Sequence, residues 1–353
     1  KYKNVMKAVF VIFFTISKFY SFGQELDLNF YSKENKLYII GEDHFEDDIE
    51  IQLSIIEYIK KNAQIDALIL EFPSEATQIF NEYVLTGNKI DEVDEICNLV
   101  SKSVSRKTKI ILDYLKNYNQ SNTHKIKVEG LDMLRFHKLR RQMKSLQLIF
   151  PELSNVNLPL TKKYVLDQRI RNYKRNKSSE IIDHLTSELE QNRSIFQQYL
   201  GQKMTRYEKC LNDLKFYYMD YSWRKSDSIR EVFMSQNLIQ IVDSNTLSIM
   251  ICGAAHATIK ENDSWFYGYP FTTMAATIEK KYPNQISSII TQYYEKKLLR
   301  IFPEFNLLNN PMEFYFKGKN KEYQIISGDE LNMHPVAKER CNVVILKNNR
   351  YKK

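Results

Sequence analysis

Glycine, histidine and cysteine are scarce in this chain, with nine, six and four copies in 353 residues. The cysteines Cys97, Cys210, Cys252 and Cys341 are widely separated and form no Cys-x-x-Cys. The sequence therefore gives no support to a zinc knuckle or a thioredoxin-type redox motif. Cys252 lies within an apolar run and reads as a core residue. A Gly-x-Ser-x-Gly elbow is also missing, so a serine nucleophile of that type is unsupported. Low-complexity tracts and short-period solenoid repeats are absent too.

Charge of one sign is less dominant than the formal +8 suggests, because residues 1–23 hold four lysines and no acid and so carry half of that excess. The remainder does not call for a nucleic-acid partner. Basic clusters at Arg135–Lys144 and Lys162–Lys177 read as solvated faces. In the first, Leu131, Leu134, Leu139, Met143 and Leu146 predict an amphipathic helix.

At the N-terminus, Lys1, Lys3 and Lys7 precede the apolar run Ala8–Ile16, and Ser21-Phe22-Gly23 follows at the spacing of a signal-peptidase site. This is the pattern of a secretory signal over residues 1–23, with a run too short for a comfortable membrane span. A retained N-terminal anchor is the alternative. The expected location is extracytoplasmic, periplasmic or secreted, with no stable membrane span after signal removal. With 43% hydrophobic and 27% charged residues, the rest is ordinary globular material.

Strand-like and helix-like segments alternate after the signal. Apolar runs at Leu37–Ile40, Asp66–Glu71, Lys125–Glu129, Leu247–Cys252, Gln285–Tyr294 and Asn342–Leu346 predict strands. Helical spacing covers about 47–62 and 76–119, with an interruption near Gly87. From about 133 to 245 no strand is evident, and Pro151 and Pro159 mark a break. The expected fold is α/β, a largely parallel central sheet flanked by helices. Residues 24–353 read as a single domain with a helical insertion or cap at about 133–245.

What the sequence does contain is a repeated strand-end motif. Gly41-Glu42-Asp43-His44 and Gly253-Ala254-Ala255-His256 each follow an apolar run, where a glycine would allow a sharp turn. Strand carboxyl ends are where open α/β sheets build their sites. The same edge would collect Glu71 from the second strand and Asp132 from the third. Histidines and carboxylates gathered there can bind a divalent metal, with His44, Glu71 and His256 as the candidate ligands. Equally, a carboxylate can orient a histidine that activates water. Asp132 has a competing role as a helix cap, and Asp43 as a cap or a ligand. Arg230 would either anchor a substrate or pair with Glu71 or Asp132. His124, His137, His184 and His334 lack a comparable setting.

In these residues the chain resembles the superfamily of erythromycin esterase-like, ChaN-like and TIKI/TraB proteins. The resemblance covers Leu37 to Asp132 and about Arg224 to Ser288. It is carried by Gly41-Glu42-Asp43-His44, Leu70-Glu71, Gly130-Leu131-Asp132, Arg230-Glu231-Val232-Phe233-Met234-Ser235-Gln236-Asn237 and Gly253-Ala254-Ala255-His256. The paired Gly-x-x-His motifs look like the TIKI/TraB branch, which includes metal-dependent proteases. The order of Glu42, His44, Glu71 and Arg230 looks like the esterase branch. The single residue between Glu42 and His44 is closer to the haem-binding ChaN-like branch. The resemblance implies catalytic roles for Glu42, His44, Glu71, Arg230 and His256 in hydrolysis of an ester or amide bond, with or without a metal. The substrate would be a small molecule or peptide. Binding of haem or a metal-containing ligand without catalysis is the implied alternative.

Overall fold

The computed structural model describes residues 28–44, 46, 48–136, 138–170, 175–219, 223–261, 271–293 and 323–347. The expected signal, residues 1–23, lies outside them, as do His137 and Phe45. Among the described residues no helix is long and apolar enough to cross a membrane.

The six expected strands all form: β1 (Leu37–Glu42), β2 (Ala67–Pro73), β3 (Lys127–Asp132), β4 (Ser248–Gly253), β5 (Ile286–Tyr293) and β7 (Val343–Lys347). A further strand, β6 (Tyr323–Ser327), was not foreseen. They assemble in the order β3-β2-β4-β1-β5-β7-β6, all parallel except β6, which runs antiparallel to β7 at the sheet edge.

Alternation along each strand divides the apolar side chains between two faces. Tyr38, Ile40, Leu68, Leu70, Ile249 and Ile251 enter one core. Leu37, Ile39, Ile69, Met250 and Cys252 enter the other. The first face is covered by α1 (Ile49–Asn62), α2 (Ser74–Thr86), α3 (Ile90–Cys97), α4 (Lys102–Ser121) and α5 (Leu139–Ile149). The same apolar core continues outward into α6 (Arg175–Gln191), α7 (Arg193–Leu200) and α8 (Met204–Tyr218). The second face is covered mainly by α9 (Trp223–Ser244) and α10 (Met274–Lys281). The strand-free section expected over 133–245 is therefore divided: its helices up to Tyr218 join the first core, and α9 joins the second.

Several local expectations change. The helical stretch 76–119 is three helices, the first closed by Gly87 in the left-handed region at φ 83°. Leu131 belongs to β3 and Leu134 precedes the helix, so the basic amphipathic helix is confined to Leu139–Ile149. Pairing of Asp132 with Pro73 in β2 keeps this stretch extended, although its apolar residues have helical spacing. Two cations of the basic cluster find local partners, Arg141 on the Leu99 carbonyl and Lys144 on Glu95. All four cysteines are free and buried, with Cys252 in the core as expected.

The motif glycines act by close approach. Gly41 and Gly253 both have negative φ, so neither needs the left-handed freedom expected of a sharp turn. A Cβ on Gly41 would lie 2.7 Å from Ala257 Cβ and 3.0 Å from Ala254 Cα. That proximity lets the turn after β4 pack against β1.

Candidate active site

β1, β2, β3 and β4 end on the same edge of the sheet and bring Glu42, Glu71, Asp132 and His256 to one cluster. His44 lies just beyond β1, in the connection to α1. Its Nδ1 is 2.9 Å from Glu42 Oε1, and its Nε2 is 3.7 Å from Glu71 Oε2. The two motif histidines differ sharply in setting. The His44 side chain is 40% exposed, whereas that of His256, in the 3-10 turn Ala254–Ala257, is 6% exposed. Only His44 can meet a molecule in solution without rearrangement.

Glu71 stands between the two imidazoles. Its Oε2 faces His44 and accepts the Gly253 N–H at 2.9 Å, while its Oε1 faces His256 at 3.6 Å and pairs with Arg230. Arg230, projecting from α9, also donates from Nε and Nη2 to Asp132, at 2.7–3.2 Å. Asp132 additionally accepts the N–H of Met133 at 2.9 Å. It caps no helix, since the next one begins at Leu139. Arg230 is buried and pairs with both Glu71 and Asp132, the internal role weighed against substrate anchoring.

These contacts set the charge states. Burial raises the Glu42 pKa, but the hydrogen bond with His44 and the Lys107 ammonium outweigh it and hold Glu42 below its ordinary value. Glu71 behaves alike: Arg230 and His256 overcome burial and keep it well below the usual carboxylate range. Burial lowers His44, yet Glu42 and Glu71 together raise it above its ordinary value. Burial also lowers His256, but Glu231 and Glu71 push it up to about 9. Arg230 Nη1, which can only donate, lies 2.9 Å from His256 Nε2 and by itself favours the neutral ring. With Nδ1–H donated to Glu231, a neutral ring can accept from Arg230 on Nε2, so this contact opposes the upward push of the carboxylates.

The proposed ligands His44, Glu71 and His256 do not make a metal-binding set. The Arg230 guanidinium contacts both Glu71 Oε1 and His256 Nε2, so a cation already lies between those donors. Among the described residues no group of three His, Cys, Asp or Glu side chains is arranged to hold a metal ion.

Four participants were not foreseen. Glu231, adjacent to Arg230 on α9, is buried; its carboxylate takes the Nδ1 of His256 on one oxygen and the N–H of Met274 on the other. Lys107, Gln52 and Asp48 form a buried layer under Glu42. Lys107 had a legible signal: it falls beside Thr108, Ile111, Leu112 and Leu115 on the buried side of α4, where a lysine is unexpected. Asp43 is exposed and contributes its backbone carbonyl to Lys107. His124 holds the carbonyl of Ile65 outside this site, and His184 is exposed.

Comparison of the sequence with protein-family profiles and with curated proteins found no match. The structure defines an α/β protein whose fold is shared by several solved structures. A Bacillus cereus protein is 12% identical, with a TM-score of 0.55 over 90% of this chain and 89% of that one. A succinoglycan biosynthesis protein is 10% identical, with a TM-score of 0.59 over 89% and 88%. A mutant of erythromycin esterase EreC in its open conformation is 12% identical, with a TM-score of 0.55 over 91% and 93%. The fold implied by the sequence resemblance is thus the fold observed.

Proposed function

We propose that this chain is a hydrolase of an ester or amide bond in which His44 is the general base. The observation that carries this reading is the contrast around His44: a half-exposed imidazole, held at Nδ1 by Glu42, in front of a buried network of carboxylates and Arg230. Glu42 accepts the Nδ1 proton and leaves the Nε2 lone pair for water. Water adds to the substrate carbonyl carbon as His44 Nε2 takes its proton. The carbon–oxygen or carbon–nitrogen bond then breaks, and His44 returns that proton to the leaving group. Glu71, ionised at neutral pH, stabilises the transient imidazolium. Arg230 holds Glu71 and Asp132 in place, and His256 with Glu231 supports Arg230 from behind. Fold likeness to an esterase is compatible with this chemistry but does not identify the substrate. If residues 1–23 direct export, the enzyme acts outside the cytoplasm.

A panel of p-nitrophenyl esters and peptide p-nitroanilides, assayed between pH 5 and 9, tests the proposal. His44 is idle when protonated, and its carboxylate neighbours raise its pKa. We expect kcat/KM to rise with pH through an apparent pKa above the ordinary histidine value of about 6.5. No turnover of any substrate, with a Soret band developing on titration with haem, would overturn hydrolysis in favour of the ligand-binding alternative.

Gly253 supplies a sharper test of geometry. A Cβ there would stand 2.9 Å from His44 Nε2, the atom that must reach water, while its φ of −58° and ψ of 141° suit alanine. The imidazole can swing away at small cost in stability. We expect Gly253→Ala to lower kcat about 10²-fold, the scale of a 1 Å misplacement, with an unchanged melting temperature. Parallel kinetics and thermal unfolding would check both halves.

A further inference from the structure

The layer beneath Glu42 is polar although it is buried. Lys107 is buried, and its ammonium makes three polar contacts: Glu42 Oε2 at 2.7 Å, Asp48 Oδ1 at 3.1 Å and the Asp43 carbonyl at 3.2 Å. Those contacts lie on both sides of His44, at Glu42 and Asp43 before it and at Asp48 just before α1. Gln52 of α1 adds bonds to Glu42 Oε2 and to Asp48 Oδ1. Both donors thus act on one oxygen of Glu42 and leave the other, Oε1, directed at His44 Nδ1. A carboxylate without that clamp could rotate, and a free imidazole prefers its proton on Nε2, which would remove the lone pair that the base needs there.

We propose that Lys107 is a positioning residue for His44: its ammonium fixes Glu42, Asp43 and Asp48 so that the imidazole carries its proton on Nδ1 and keeps Nε2 unprotonated as the base. A buried lysine paired to two carboxylates is a poor source of net stability, because desolvation opposes the pairing. A role in orientation explains its place under the only half-exposed imidazole of the cluster. The inference rests on the reading of His44 as a base, but its test does not require turnover.

Nitrogen NMR of the full chain labelled with ¹⁵N-histidine, assigned with His44→Gln, reads the tautomer of the neutral His44 ring directly. For the wild type we expect protonated Nδ1 and unprotonated Nε2. In Lys107→Met the Nε2 signal should move to the protonated range, and Lys107→Arg, which restores the charge, should move it back. If Lys107→Met does not fold, Lys107→Gln, which keeps one donor, serves in its place and should give a mixture of tautomers. An unchanged Nδ1-protonated ring in a folded Lys107→Met or Lys107→Gln variant would overturn the proposal, as would a wild-type ring protonated on Nε2. A tautomer that shifts as expected in a protein without hydrolytic activity would support the positioning role and remove the hydrolase reading alone.

Discussion

Replacing His44 with Gln lowers hydrolysis by about 10²–10⁴-fold, the usual contribution of a general base, and leaves the fold intact. The side chain is 40% exposed and enters neither apolar core, so its removal opens no cavity. Glu42 loses one partner but keeps Lys107 and Gln52, and Glu71 keeps Arg230 and the Gly253 N–H. The expected stability change is therefore about 1 kcal/mol, the net worth of one hydrogen bond. Single-turnover kinetics beside urea unfolding measures both quantities. A variant with wild-type kcat would remove His44 from the chemistry and leave the cluster a purely structural one.

Arg230→Met has the opposite signature. Here the side chain is buried and serves Glu71, Asp132 and His256 together, so its loss strands two carboxylates. Breaking a buried ion pair by removing one partner costs about 3–5 kcal/mol. We expect a loss of that size at pH 7 by urea unfolding, along with loss of activity. The pH dependence makes the prediction specific. In the wild type Glu71 has a lowered pKa, so its contribution is present above the unfolded carboxylate value and is lost as pH falls through the folded one. Without the guanidinium, burial raises the Glu71 pKa and protonation relieves the stranded charge. The stability gap between variant and wild type should therefore narrow between pH 7 and about pH 4, near the ordinary carboxylate range. A gap that stays constant over that range would show that Arg230 acts through packing of its stem instead of its charge.

The contrast between these two substitutions shows where sequence reasoning was strong. The strands were legible because each contains a short apolar run, and the first four end in glycine, an acid or proline. β6 was missed because Tyr323-Gln324-Ile325-Ile326-Ser327 is short, mixed in polarity and on the sheet edge, where burial imposes the weakest pattern. Glu231 was overshadowed by Arg230, because neighbours on a helix point about 100° apart and only one was expected to face the site. Both are buried because α9 packs against β3 on one side and α10 on the other.

Strand-end histidines and carboxylates, the largely parallel character of the sheet and the sparse glycines of the two motifs were legible in the sequence by itself, whereas the strand order was not. Which histidine reaches solvent, which cation fills the space between Glu71 and His256, and what lies under Glu42 depended on the tertiary structure. The physical reason is the range of the contacts involved. Arg230 meets Glu71 across 159 residues, and Lys107 meets Asp43 across 64. Their energies come from charge pairing in a buried setting that exists only once the sheet and the helices on both its faces have assembled.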